Sequence, residues 1–254
     1  MSRIMKYEMK RLLFNKFFIG LCVINGLFAW YTLTSDTVAG VAHTAPFSPW
    51  SFSAYLAASM PVSVLTVLFL LTFSHSQKEK QVGALTTATP VDAVRYSLIR
   101  LAVVAFGFFF LCVLVIGISI IFYAVFFDYR NYPAFILPAI IVILPCFVFI
   151  LGVGNFLGRI HPGFLYILMF LSVTMNFIPL PRELDFIGFF GSGFYASFPL
   201  KLPIGPDGEP AFTLSAKFLT VRAIYLAAGA VLPAVGFVRA KRLMQGMKHR
   251  PPKH

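Results

Sequence analysis

Residues 101–127 read LAVVAFGFFFLCVLVIGISIIFYAVFF. None of them is charged, and leucine, isoleucine, valine and phenylalanine dominate. A helix needs about 20 predominantly apolar residues to cross the hydrocarbon layer of a bilayer. This run exceeds that length and can span with some tilt. Buried in a soluble domain, it would need apolar partners on every face. The fold class it predicts is an all-α integral membrane protein.

Five more apolar runs flank it, at 17–33, 55–73, 134–157, 164–180 and 223–238. The expectation is six transmembrane helices in a single transmembrane domain over 1–254. The first, fifth and sixth runs are short and borrow flanking residues. Pro138 and Pro145 lie in the fourth run and Pro233 in the sixth, as kinks that membrane helices tolerate. Composition agrees: the 254 residues are 59% apolar, 17% aromatic and 12% charged. Soluble domains carry about 25% charged residues. Disorder, which requires low hydrophobicity, is excluded, as is a water-soluble single domain. Run 17–33 follows a basic flank as a signal peptide would, but it exceeds a usual signal core and more spans follow. A retained helix is expected.

The net charge is +12. The basic residues lie between apolar runs rather than among aromatics on a polar face, so they read as topology signals and lipid headgroup contacts. Nucleic acid is not an expected partner. With the N-terminus in the cytosol, 16 of the Lys and Arg residues fall inside and 5 outside. That asymmetry predicts both termini inside, which an even number of spans satisfies.

The segments between the runs have characters of their own. Over 2–16, Ile4, Met5, Met9, Leu12 and Leu13 share one helical face, with Arg3, Lys6, Lys10 and Arg11 largely opposite. This predicts an amphipathic elbow helix in the headgroup plane; the alternative is a plain basic flank. Residues 74–100 form the one sizeable cytosolic loop. Within it, Thr89-Pro90-Val91-Asp92 is a helix start, with Thr89 as cap and Pro90 in the first helical position. Residues 181–217 are external. Their apolar part, LDFIGFFGSGFYASFPL over 184–200, is broken by Gly188, Gly191 and Gly193. It predicts a re-entrant segment between the fifth and sixth spans. A seventh full span would carry the basic tail at 239–254 outside, against the charge rule.

Chemistry is sparse. No Asp, Glu, Lys or Arg lies centrally in a run, and Asp128, Arg130 and Arg222 sit at ends, where side chains snorkel. Ion coupling is therefore not expected. Cys22, Cys112 and Cys146 lack metal-ligand spacing, and the five histidines do not pair, so no metal site is expected. No H-E-x-x-H, G-x-S-x-G or P-loop motif is present, which speaks against an enzyme and leaves this chain without its own ATP site. Asn25, Asn155 and Asn176 are the amides within the runs. Interhelical hydrogen bonding is their ordinary role; lining a translocation path is the functional alternative. Gly152, Gly154 and Gly158 give the fourth run a small-residue face for helix packing.

The loop pattern Glu79-x-x-x-Gly83-Ala84-Leu85, then Pro90, then Tyr96-x-x-x-Arg100, resembles the membrane (permease) subunits of type-2 ABC exporters. The resemblance implies a basic elbow, six spans with both ends cytosolic, a docking loop after the second span and a re-entrant element before the last. It implies a separate P-loop ATPase carrying ATP and Mg, docked through Glu79, Gly83, Leu85 and Pro90. Lys78 and Lys80 beside Glu79 depart from the acidic character common in that family. It implies a second permease copy, as homodimer or heterodimer. The expected location is a bacterial plasma (inner) membrane, and the expected cargo is a hydrophobic or amphipathic peptide, drug or lipid. The rival expectation is a non-transporting polytopic protein such as a lipid-pathway enzyme or assembly factor.

Overall fold

A computed structural model describes residues 2–76, 93–178, 185–206 and 208–248; the regular elements among them are all helices, with no strand. The helices are α1 (Ser2–Leu12), α2 (Lys16–Thr32), α3 (Pro49–Ser74), α4 (Ala93–Phe127), α5 (Ile136–Ile160), α6 (Gly163–Phe177), α7 (Ser192–Ser197) and α8 (Ala216–Lys248). Five stretches are long and apolar enough to cross a membrane: Lys16–Thr37, Pro49–Ser74, Arg95–Phe127, Tyr132–Ile160 and Ala216–Pro233. Large apolar side chains cover the outside of the bundle, Phe170 being 73% exposed. Each such side chain would cost about 1.5–3 kcal/mol to leave in water. The chain is a multi-pass membrane protein.

The fifth run, read as a span over 164–180, forms a shorter helix. α6 has 15 residues, about 22 Å at 1.5 Å per residue. Ile178 is extended (φ −78°, ψ 116°), the conformation that a following proline imposes, and Pro179 stands next. The second span is longer than its run. The loop expected through residue 54 gives way to helix at Pro49, because Ser48 Oγ accepts from Ser51 N at 3.1 Å and proline occupies the first helical position. Before it, α2 continues into a π-turn at Leu33–Thr37.

Leu13, Phe14 and Asn15 separate the first two helices, and the asparagine caps both. Asn15 Nδ2 donates to Arg11 O at 2.9 Å, and its Oδ1 accepts from Phe18 N at 2.7 Å. It thereby satisfies a terminal carbonyl of α1 and a terminal amide of α2. α3 is the central post, packed against α2, α4, α5, α6 and α7, while α5 and α8 form the most extensive helix pair. A Cβ on Gly152 would fall on the Gly229 carbonyl, and one on Gly229 on the Val148 carbonyl. Two backbones therefore touch where α5 crosses α8. Gly154 and Gly158 face other neighbours, the side chains of Leu71 and His75 on or just past α3. The small-residue face read as one is two.

At the end of the bundle where α3 begins, a cap closes the helices. Trp50 Nε1 donates to Pro210 O at 3.2 Å, and its ring lies 4.8 Å from Phe212. Glu209 Oε1 accepts from Ala45 N at 2.9 Å. The stretch expected to be a re-entrant segment contains two 3-10 turns, Asp185–Ile187 and Pro199–Lys201, on either side of α7. Gly191 precedes α7 at φ 79°, a left-handed conformation that suits glycine.

Candidate functional site

At the opposite end, α1 packs on the start of α4. The face it buries includes most of the apolar stripe expected, Leu12 and Leu13 being buried and Met9 packed on the core, but it also takes in a carboxylate. Glu8 is only 1% exposed, Leu12 is buried beside it, and Met5 is exposed. Two partners account for burying a carboxylate: Tyr96 Oη donates to Glu8 Oε1 at 2.8 Å, and Arg11 pairs with Glu8 Oε2 at 3.1 Å. A charge-assisted hydrogen bond of this kind is among the stronger ones. Sequence reading passed over Glu8. The signal was present: Ile4, Glu8 and Leu12 recur at four-residue spacing.

The same end gathers the termini of three spans. Arg100 donates to Ser74 O at 2.6 Å, tying α4 to the end of α3. Arg159 donates to Ser97 Oγ at 2.8 Å, tying α5 to α4. His75 Nδ1 donates to Leu71 O at 2.9 Å. Between these helices lies a cavity of about 200 Å³, its polar lining formed by His75, Tyr96, Ser97, Arg100, Asn155 and Arg159. No carboxylate lines it among the described residues.

The three amides lie in three different places. Asn25 is 2% exposed and fully engaged: Nδ2 donates to Leu21 O and Thr66 Oγ1, both at 2.9 Å, and Oδ1 accepts from Ser63 Oγ at 2.8 Å. It joins α2 to α3. Asn155 is 3% exposed and lines the cavity just described, with Nδ2 buried and without a hydrogen-bond partner. Asn176 lies near the capped end, where its Oδ1 accepts from Ser192 Oγ at 3.3 Å. The expected docking residues Glu79, Gly83, Leu85 and Pro90 lie outside the described residues, which resume at Ala93.

Arg222 corrects the expectation of snorkelling. It is 4% exposed and turns inward, donating to the carbonyls of Phe189 and, at 2.9 Å, Gly188. Its guanidinium stacks over Phe218 at 4.5 Å, a favourable cation–π geometry. A Cβ on Gly191 would strike it. Burial pushes the Tyr195 phenol well above its ordinary pKa, against the opposing pull of Arg222. Arg222 thus fastens the 185–191 turn onto α8. Beside it, a groove of about 320 Å³ opens between α5, α6 and α8. Its lining is apolar, with Phe149, Leu168, Met175, Phe189 and Tyr225 among the contributors.

The chain matches no protein-family model, no curated protein and no solved structure among those compared with it. Its class as a multi-pass membrane protein comes from the helices themselves.

Proposed function

We propose that the chain is the permease subunit of an ABC exporter, carrying a hydrophobic or amphipathic peptide, drug or lipid out of the cell. On this reading α6 completes a set of six spans, both termini are cytosolic and α1 is the elbow. The 185–201 turns belong to a re-entrant element. A separate P-loop ATPase supplies ATP and Mg, and a second permease copy completes the pathway in the plasma membrane. One observation carries the reading. Glu8–Tyr96 and Arg100–Ser74 bind α1, α3 and α4 together on either side of the 77–92 loop. A loop anchored on a braced base can receive a push and pass it to the spans as rigid-body motion. The apolar groove by Phe149 and Tyr225 agrees with a hydrophobic cargo.

The test is co-purification of the full chain, expressed in its native host, with a P-loop ATPase. Changing Glu79→Ala together with Leu85→Ala is expected to lose the ATPase, with the permease still folded. An ATPase retained at full stoichiometry after residues 77–92 are replaced by a Gly/Ser linker would reject the reading.

A further inference from the structure

We infer that Arg222 is a two-position latch. Turned inward, it holds the 185–191 turn as a wall of the apolar groove; turned outward to the membrane surface, it releases that wall. The inference concerns this chain alone and does not depend on the exporter reading.

The argument begins with the charge. Arg222 is six residues past Ala216, the start of α8, which is about 9 Å at 1.5 Å per residue. It lies within the stretch Ala216–Pro233, apolar enough to cross a membrane. A cation inside a membrane is costly, and it ordinarily pairs with a carboxylate or backbone carbonyls, or reaches water. No carboxylate pairs with Arg222 among the described residues. Nη1 and Nη2 donate to the Phe189 and Gly188 carbonyls, while Nε is buried without a partner. A buried charge is repaid in full only when its remaining protons are also satisfied. The outward position offers what the inward one lacks. From the second turn of a spanning helix a long arginine side chain reaches the headgroup level and keeps its charge in water. Each position thus has its own compensation, and a bistable element of this kind is what a switch requires.

The turn that Arg222 holds has few other ties. Three consecutive carbonyls, those of Ile187, Gly188 and Phe189, accept from side chains of α8, the first from Tyr225 Oη at 2.7 Å. Among the described residues, no backbone hydrogen bond joins 185–191 to a spanning helix. Elements held so lightly open at a lower free energy than the core. Ile187 and Phe189 also line the groove, together with Phe149 of α5 and Met175 of α6. The Phe189 ring lies 5.2 Å from Phe149 and 5.6 Å from Tyr225. Withdrawing Arg222 therefore loosens one wall of the groove. The pairing of α5 with α8 does not depend on it, because their backbones meet at Gly152 and Gly229.

The test is hydrogen exchange, read by mass spectrometry on the full-length protein in nanodiscs of phosphatidylcholine, and again with half of the lipid replaced by phosphatidylglycerol. Phe190 and Gly191 are buried, so their amides report opening of the turn, and the rate follows the open population when reclosing is fast. An anionic surface attracts a nearby arginine strongly enough to shift such a population about fivefold. In the parent, phosphatidylglycerol is expected to speed exchange over 187–191 by about that factor. Arg222→Met keeps a long side chain and removes the charge and both bonds. It is expected to exchange at least tenfold faster than the parent in phosphatidylcholine and to lose the response to lipid charge. Tyr225→Phe removes only the bond to the Ile187 carbonyl. It is expected to raise exchange about fivefold, the worth of one hydrogen bond, and to keep the lipid response. Peptides from α3 and α5 are expected to be unchanged throughout. Should Arg222→Met not fold, the parent and Tyr225→Phe carry the decision. Equal exchange of the parent in the two lipids overturns the inference. So does a lipid response that survives Arg222→Met, or faster exchange spread evenly over α3 and α5, which would make Arg222 a general support of the bundle.

Discussion

The two faces of α5 are built on opposite plans. Toward α8, Gly152 lies on the backbone of Gly229 with no room for a methyl group. Toward α3 and α4, the same helix presents Gly154, Asn155 and Gly158 to side chains, and a cavity remains. The first face is a seam held by dispersion between close backbones, the common means of helix association where lipid removes the hydrophobic driving force. The second leaves a polar atom without a partner. A membrane chain gains stability from the first arrangement and gives it up in the second.

The largest expected effect breaks the seam. In Gly152→Ala the new methyl group would land on the Gly229 carbonyl, which belongs to the backbone and cannot rotate away. Helix α5 or α8 must shift as a body. Overpacking of a tight interior costs about 1–3 kcal/mol and at times more, and this site belongs at the upper end. Equilibrium unfolding in mixed micelles would show it. A change under about 0.5 kcal/mol, the range of an ordinary surface substitution, would mean that the seam is not rigid.

That division of α5 was not readable from its glycines. The sequence offers Gly152, Gly154 and Gly158 as one small-residue group, and only the direction of each helix neighbour separates 152 from the other two. The spans themselves were legible, because runs such as 101–127 contain no charge and admit one explanation. Their ends were less so. The start of α3 at Pro49 was signalled by Ser48-Pro49, but the polar appearance of 34–54 hid it. α6 stops early because proline follows Ile178. Charged residues were the hardest to place. Glu8 drew no reading and Arg222 reads as a snorkelling end residue, yet both are buried because particular partners meet them: the Tyr96 hydroxyl and Arg11 for one, two loop carbonyls for the other. Apart from Glu8–Arg11, these pairings join residues far apart in the chain, and the four-residue spacing of Ile4, Glu8 and Leu12 is the one local sign of them. Of the cavity between α3, α4 and α5, the amide at Asn155 was singled out from sequence, while its lack of a partner is a tertiary fact.

A second measurement sharpens the contrast through two amides of equal depth. Asn25→Ala removes three hydrogen bonds between α2 and α3 or within α2, and leaves the Ser63 hydroxyl without its acceptor. Interhelical hydrogen bonds in membranes contribute about 0.6 kcal/mol on average, and an orphaned buried group adds about 1–3 kcal/mol. A loss of about 1–2 kcal/mol is expected. Asn155→Ala breaks no side-chain hydrogen bond and enlarges a cavity that already exists, so its cost is expected to stay below about 0.5 kcal/mol, the size of a neutral substitution. Equal losses at the two positions would show that Asn155 is held by something in the free protein.

The smallest effect is expected at Gly154, two residues from the seam. A Cβ there would come 2.8 Å from Leu71 Cδ1 and 3.4 Å from Leu68 Cδ2. Both are the tips of flexible side chains, which can turn by a few tenths of an ångström into the neighbouring cavity. Against that small strain stands the helix propensity of alanine, better than glycine by about 0.8–1.0 kcal/mol in a helix interior. The two nearly cancel, and Gly154→Ala is expected to unfold within about 0.5 kcal/mol of the parent. The pair Gly152→Ala and Gly154→Ala thus makes the same chemical change on one helix, two residues apart. A backbone neighbour resists it and a side-chain neighbour accommodates it. If both variants lost stability alike, α5 would be packed equally hard on both sides.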